Sequence, residues 1–447
     1  MAAITVEFKQ ELPPVVLKIL HTLRSASHEA YLVGGCVRDL VTGVEPKDYD
    51  IVTSAWPEDI KALFVHTIPV GISFGVLIVI EEGRKFEVAT FRADGTYLDG
   101  RRPKEVYFAT AEEDVRRRDF TINGLLFDPV KGMVYDYVGG MEDIKRRLVR
   151  TIGEPNLRFS EDRLRMLRAV RLAANLGYEI EEETFKAIQY RAREIKDISA
   201  ERIRDELTKL LVRGGARRGM ELLAETGLLA EILPEVVALR GIEQPSRFHP
   251  EGDVWEHTLR MLSFLEKDGM IDHRLAWGVI MHDLGKAVTR SEDERGIHFY
   301  GHVRKGEELA QKIMDRLRFS REEREIIGSL IHHHMRFMNV HLMRPNRLKR
   351  FLRMDNFHLH LALHRLDCLG SHGMLENYEF CLTKLKELSQ EDLRPPPLIT
   401  GYDLIALGYK PGPLFGRILR AVEDAQLNGE IKSPEEARNF VLQSFGK

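Results

Sequence analysis

The sequence predicts an α+β protein: a mixed β-sheet with helices packed on it up to about residue 140, then helices to the C-terminus. Three observations predict it. Short β-type runs (Tyr31–Val33, Val76–Ile80, Lys85–Phe91, Val134–Val138) alternate with helical stretches in the first 140 residues. Beyond about 141 the apolar residues keep helical spacing, as Leu164, Leu167, Val170 and Leu172 do among arginines. The length, 447 residues, leaves room for about three compact units at roughly 150 residues each.

Composition narrows the class further. With 43% hydrophobic and 30% charged residues and no run of ~18 apolar residues, the chain can bury several cores and is no membrane protein, fibre or disordered chain. The first residues, Met1–Lys9, have no basic segment leading into an apolar one, so a soluble cytoplasmic protein is expected, with no membrane partner and no obligate protein partner. Cys36, Cys368 and Cys381 lie far apart without a C-x-x-C pair, which suits a reducing compartment. Lys plus Arg number 66 against 69 Asp plus Glu, net −3, so any polyanion must be met by local patches.

Histidine usage marks a specialised stretch: 14 of the 17 histidines fall between His249 and His372. Arg394–Leu398 carries three consecutive prolines and reads as a stiff linker. The expected domains are therefore 1–140, a head; 141–240, a helical neck and body that includes helices over Ala200–Leu211 and Met220–Leu229 closed by Pro234; 241–390, the histidine-rich domain; and 391–447, a helical tail.

Three motifs in the head carry chemistry. Leu32-Val33-Gly34-Gly35-Cys36-Val37-Arg38 reads as a strand ending in two glycines and opening a helix, where free amides and the Arg38 fork can receive phosphate oxygens. Asp48 and Asp50 stand two apart on an expected strand, which turns both carboxylates to one face, where hard oxygen ligands suit Mg2+ bridging substrate phosphates. Glu87, on another strand, is a candidate third carboxylate. In Val115-Arg116-Arg117-Arg118-Asp119-Phe120-Thr121-Ile122-Asn123, the groups Arg118, Asp119 and Asn123 can offer a phosphate fork, a hydroxyl acceptor and an amide to one cleft.

In this order the motifs resemble the head domain of class II tRNA nucleotidyltransferases (CCA-adding enzymes) and bacterial poly(A) polymerases, within the DNA polymerase β superfamily; the likeness runs from about Tyr31 to Gly140. The resemblance implies a polymerase-β-like nucleotidyltransferase head in which Gly34, Gly35 and Arg38 hold the triphosphate. Asp48 and Asp50 would be the catalytic pair binding Mg2+, and Arg118, Asp119 and Asn123 would hold triphosphate and ribose. An RNA 3′-hydroxyl would attack the α-phosphate with two metal ions about 4 Å apart clamping both oxygens.

Ser160-Glu161-Asp162-Arg163-Leu164-Arg165 reads as a helix start with Ser160 at the N-cap, and Asp162 and Arg165, three apart, then share a face. An Asp accepting from an exocyclic amine and an Arg donating to the ring edge match cytosine and adenine and reject guanine and uracil. This stretch resembles the E-D-x-x-R motif with which class II enzymes read CTP and then ATP, with Arg163 where the family usually has Pro. The resemblance assigns Glu161, Asp162, Arg165 and Arg168 to nucleotide binding; the basic helices, such as those carrying Lys145, Arg146 and Arg147, can track the phosphates of a tRNA acceptor end by shape and charge.

His257, His282-Asp283, His302, His332-His333-His334 and Asp367 form a spaced series on expected helices, and imidazole with carboxylate suits divalent metals. Adjacent helical residues do not share a face, so spacing alone does not show how His282 and Asp283 would both ligate. The series resembles the HD phosphohydrolase superfamily, which implies His257, His282, Asp283 and Asp367 as ligands of a divalent metal of unknown identity, with His302 and one of the triplet as extra ligands or acid/base groups. Hydrolysis of phosphomonoester or 2′,3′-cyclic phosphate ends follows from the same likeness. The alternative is a domain that only supports RNA binding through Arg344, Arg347, Lys349, Arg350 and Arg353, a run without acids. The tail motifs Gly401–Leu404 and Lys410–Leu414 resemble those after HD domains in some CCA-adding enzymes.

The expected function is thus template-independent addition of CTP, CTP and ATP to tRNA 3′ ends. The alternatives are a CC-adding or A-adding partial enzyme, a poly(A) polymerase, a protein uridylyltransferase, for which the chain is too short, and an RNA-binding scaffold with a dead head, against which the retained Asp48 and Asp50 argue. The loop Thr90–Arg102 leans towards full CCA addition, since a flexible loop lets one pocket change bases.

Overall fold

Val33 pairs with Asp50 at the centre of an eight-stranded mixed sheet, and the strands around that pair come in the order β1 (Ala2–Thr5), β10, β9, β2 (Ala30–Val33), β3 (Asp50–Thr53), β6, β5, β4 (Thr67–Gly71). Here β5 is Val76–Glu81, β6 Arg84–Thr90, β9 Leu125–Asp128 and β10 Met133–Asp136, while β7 (Arg92–Asp94) and β8 (Val106–Phe108) form a separate two-stranded ribbon. Among the described neighbours of the eight-stranded sheet only β3 and β6 run parallel, in the register Ile51↔Val88; the others are antiparallel. The computed structural model describes residues 2–6, 8, 10–71, 75–94, 106–246, 249–267, 269 and 271–446, so the 95–102 part of the expected base-switching loop lies outside the described residues.

The four strands expected from sequence are all present. Helix Pro14–Ser25 lays Val15, Val16, Ile19, Leu20 and Leu23 on the sheet, a stripe with the helical period. Helix Gly35–Thr42 follows β2 directly and buries Cys36, Val37 and Leu40 beneath the glycine turn.

The chain divides into two compact units, Met1–Val237 and Ala238–Lys447, so the expected boundaries at 140 and 390 fall inside units. In the helical half of the first unit, Leu164–Leu176 packs against Ala200–Val212 and Ala216–Glu225. Two details differ from the sequence reading. The stretch Met220–Leu229 is divided between helices Ala216–Glu225 and Leu228–Ile232, because Gly227 takes φ +80 and stops the first. Pro234 opens the short helix Pro234–Val237 instead of ending the block, since its missing N–H is no loss at a helix start.

Helices Val254–Lys267, His273–Met281, His302–Arg316, Arg321–His333 and Phe357–Gly370 form the centre of the second unit, around Leu262, Trp277, Ile280, Leu330 and Leu366. Gly285 lets helix His302–Arg316 approach: a Cβ there would lie 1.9 Å from the His302 carbonyl oxygen. A short hairpin, Ser291–Asp293 with Gly296–His298, is strand where only helix was expected. The tail helices Gly401–Ala406, Pro413–Asn428 and Pro434–Phe445 share their own core of Leu404, Ile418, Val422 and Val441. The basic run Arg344–Arg353 has no acids in sequence but is answered in space: Glu423 of the tail pairs with both Arg350 and Arg353, and Asp424 lies 3.2 Å from Arg350.

Candidate functional site

The β2–β3 register brings the head motifs together. After Val33 the chain turns at Gly34, with φ +80 and ψ −137, a conformation that favours glycine, before Gly35 begins its helix. A Cβ on Gly34 would stand 3.7 Å from Arg118 Nη1 and 3.8 Å from Asp50 Oδ2, so the glycine turn, the second carboxylate and the arginine motif meet at one point. Asp50 opens β3, whereas Asp48 lies in the segment just before it; the expectation that both sit within the strand is corrected, because β2 turns away at Gly34 and leaves Asp48 no ladder partner. Glu87 stands beside Asp50 on the parallel β6.

Asp50 feels this crowding. Desolvation, then the Glu87 charge and, more weakly, Asp48 lift its carboxyl to about 6, against the opposing pull of Arg118. Oxygen donors that repel one another and face open solvent are a fitting donor set for a hard divalent cation.

Asp114, which the motif reading left out, anchors the arginines. Its fully buried carboxylate accepts from Arg117 (2.6 and 3.0 Å), from Arg118 (3.0 and 3.2 Å) and from the Arg92 amide (3.3 Å). Burial opposes its charge, but the two guanidiniums outweigh burial and hold the carboxyl below its ordinary value. Arg118 Nε and Nη2 are fixed on Asp114, leaving Nη1 on the Gly34 side. The signal was present in sequence as an acid three and four residues before two arginines, the spacing of helical ion pairs.

Arg38 is not presented to solvent as the phosphate fork its motif suggests. It is buried, with Nη1 donating to Asn123 Oδ1 (2.7 Å) and Nε and Nη2 to Asp39 (3.0 and 2.6 Å). Asn123 continues to Asp119 (3.4 Å), and Asp119 pairs with Arg168 at 2.5 Å. Arg38, Asn123, Asp119 and Arg168 thus form one chain from the glycine-turn helix to the neck helix, and Asp119 is held low by Arg168 and Arg165 despite its burial.

In the neck the helix does not start at Ser160. Ser160 and Glu161 end helix Pro155–Glu161, Asp162 takes an extended conformation, and Leu164–Leu176 begins anew. The start is marked instead by Asp162, whose Oδ1 accepts from the Leu164 amide at 3.1 Å while Oδ2 accepts from Arg202 at 2.8 Å. Asp162 and Arg165 therefore do not share a helical face. Arg165 donates to Glu161 (2.6 Å) and to the Arg158 and Arg117 carbonyls (3.0 and 3.3 Å), and Arg163 reaches Glu194 (3.3 Å) and Asp197 (3.2 Å).

The second unit gathers the histidine series. Helix His273–Met281 ends just before His282, and the turn that follows lets His282 and Asp283 both face inwards, which resolves the helical-face difficulty. His257 Nε2 lies 3.1 Å from Asp367 Oδ1, and His282 Nε2 lies 3.2 Å from Asp283 Oδ2. On its other side Asp283 has His302 Nε2 at 3.9 Å and His334 Nε2 at 3.8 Å. Of the triplet, His334 joins the cluster, His332 pairs outside it with Glu307 (3.0 Å), and His333 packs on His360.

His282, His302 and His334 share one pattern: Nδ1 is 2.7–2.9 Å from the carbonyl of residue i−3, and Nε2 is buried without a hydrogen-bond partner. A ring whose Nδ1–H is spent on a carbonyl carries its lone pair on Nε2, as metal-bound histidines do. These orphaned nitrogens beside buried Asp283 and part-buried Asp367 fit a divalent metal. Lys286 Nζ, 2.7 Å from Asp283, also stands beside the cluster. Desolvation disfavours the charge on Asp283, but His282 and Lys286 hold it well below the usual carboxylate range.

Family models match in succession: a poly A polymerase head domain over 30–150, a probable RNA and SrmB-binding site of polymerase A over 177–239, and an HD domain over 254–359. The class is therefore a nucleotidyltransferase head followed by an RNA-binding region and an HD domain. A Streptococcus thermophilus CCA-adding enzyme is 30% identical over 444 residues, 98% of this chain and 97% of that one. The chain belongs to the CCA-adding enzyme family. A Geobacillus stearothermophilus CCA-adding enzyme is 47% identical over 275 residues, which span 61% of this chain but only 64% of that one. Among solved structures, the Bacillus stearothermophilus CCA-adding enzyme in complex with CTP superposes with a TM-score of 0.74 at 29% identity, covering 97% of this chain and all of that one.

Two outcomes follow from the head geometry. Because Asp50 titrates near 6 in the folded chain against 3.8 unfolded, its contribution to stability is full below 3.8 and is lost as pH rises through 6. In metal-free buffer D50N is expected to melt slightly higher than the parent at pH 8, with the gap narrowing as pH falls from 6 towards 4, as measured by thermal unfolding in chelator. D114N, by loosening Arg118, is expected to weaken binding of inorganic triphosphate about tenfold, or ~1.4 kcal/mol, in equilibrium titration.

Proposed function

We propose that this chain adds C, C and A in turn to the 3′ end of tRNA without a template, using CTP and ATP. The observation that carries this reading is that Asp50 and Arg118 both come within 4 Å of where a Cβ on Gly34 would stand, at the open end of β2 and β3. The triphosphate lies against the N-terminus of the helix that begins at Gly35, where backbone without a Cβ permits close approach. Arg118, held by Asp114, meets the phosphate charge, and the Arg38–Asn123–Asp119–Arg168 chain keeps the turn and the neck helix in register. Asp48 and Asp50 hold Mg2+, which when bound lowers the pKa of the attacking 3′-hydroxyl and neutralises charge on the phosphates. The 3′-oxygen forms the new bond to the α-phosphorus, the bond to the β-phosphate oxygen breaks, and pyrophosphate leaves.

Base choice is assigned to Asp162 and Arg165, which accept from the exocyclic amine and donate to the ring edge of cytosine or adenine. Glu161 and Arg202 orient them through the bonds already described. The exposed run Lys145–Arg147 supplies phosphate contacts for the tRNA acceptor end, in the cytoplasm where tRNA matures.

The orphaned Nε2 atoms of His282, His302 and His334 favour a second activity in the HD domain: hydrolysis of phosphomonoester or 2′,3′-cyclic phosphate ends. Asp283, Asp367, His257 and His282 hold a divalent cation there, whose bound form supplies an activated water and a counter-charge for the phosphate.

The test offers tRNA lacking its last three nucleotides with each triphosphate alone and in pairs. CTP alone should give two added residues, CTP with ATP three, and UTP none; UTP incorporation or an unbounded adenine ladder overturns the reading. For the HD domain, a tRNA ending in 2′,3′-cyclic phosphate should be opened by the parent and not by H282A.

A further inference from the structure

His257 differs from the other three histidines of the HD cluster in what stands behind its ring. His282, His302 and His334 turn Nδ1 to a backbone carbonyl, whereas His257 Nδ1 lies 2.9 Å from Glu251 Oε1. The Glu251 side chain is fully buried, and the same oxygen lies 2.8 Å from His249 Nδ1. Burying a carboxylate is costly unless it is hydrogen-bonded, so its placement behind His257 needs a use.

The segment that carries Glu251 is pinned at both ends. Asp253 accepts from the Glu256 amide (2.8 Å), holding the start of helix Val254–Lys267, and from the Gly241 amide, 2.6 Å away; Glu243 and Asp253 form an antiparallel bridge. The Val254 amide donates to the Ile242 carbonyl at 3.1 Å. Glu251 lies two residues before this anchored start of the helix that carries His257.

From this geometry we infer that Glu251 is a positioning residue of the HD metal centre: its carboxylate takes the Nδ1 proton of His257 in a hydrogen bond, fixing the ring with Nε2 turned to the cation and making that nitrogen a stronger donor. The inference rests on the reading of the His257, His282, Asp283 and Asp367 cluster as a divalent-metal site. A carboxylate behind a ligating histidine orients the ring and raises its basicity more than a neutral carbonyl does, and removing such a partner lowers metal affinity 10–100-fold. His249 shares the carboxylate and packs its ring at right angles to that of His257.

The test is calorimetric titration of Ni2+ into the full-length metal-free chain carrying D48N and D50N, so that the head carboxylates do not compete. E251Q should weaken Ni2+ binding about 10–100-fold with the metal-free melting temperature unchanged, whereas H249F should change affinity less than about threefold. In an H257A background, E251Q should add no further loss, because Glu251 acts through that ring. Parent-like affinity in both E251Q and E251A overturns the inference, as does a loss in E251Q that persists undiminished without His257, or a loss in H249F as large as that in E251Q. If the parent takes up no Ni2+, and D283A is indistinguishable from it, the metal reading of the cluster fails and takes this inference with it; uptake by the parent with no effect of Glu251 leaves the metal reading standing and removes this inference alone.

Discussion

The pairing of Val33 with Asp50 is the constraint on which the head depends. It sets the end of β2, where Gly34 turns with positive φ, beside the start of β3, where Asp50 projects, and the parallel β6 then brings Glu87 to the same edge. A slip of one residue would send Asp50 to the opposite face of the sheet and remove the carboxylate from the glycine turn. Strand ends suit this task because the chain can turn there towards a ligand while the strands behind stay rigid.

Around that point, charge is organised by burial. Asp114 has no exposed surface, and two arginines donate to it from the same short helix end, so Arg118 reaches the site already oriented. Removing one partner of such a cluster leaves an uncompensated buried charge, a larger penalty than the net worth of the pair. Arg38 and Asp119 play related parts: each is buried and each is answered, by Asn123 and Asp39 in one case and by Arg168 in the other. The HD cluster is the contrasting case, since the Nε2 atoms of His282, His302 and His334 make no hydrogen bond and Asp283 is buried beside them. A folded chain tolerates that arrangement where a cation completes it.

Much of this was legible in sequence because the local signals are strong. Two glycines between a strand and a helix, a D-x-D, and R-R-D-F-T-I-N each have a short-range reason to take their shapes, and the strands and most helices follow hydrophobic periodicity. The misread places are those where a distant partner decides. Ser160 has the chemistry of an N-cap, yet the neck helix breaks two residues later, where Arg202 of a helix 40 residues on holds Asp162 extended. Arg350 and Arg353 look like a free basic surface until Glu423 is brought across from the tail.

The sequence by itself determined the succession of a mixed sheet and helices, the residue types at each candidate site, and the family to which they point, because those rest on periodicity and on motifs a few residues long. Only the tertiary structure decided that Arg38 turns inwards to Asn123, that Asp114 holds Arg118, that His334 and not its two neighbours joins the HD cluster, and that Glu251 stands behind His257. Those choices depend on which side chain finds a partner across tens of residues of chain. Coulomb attraction and desolvation act on distance in space, and spacing along the chain does not record it.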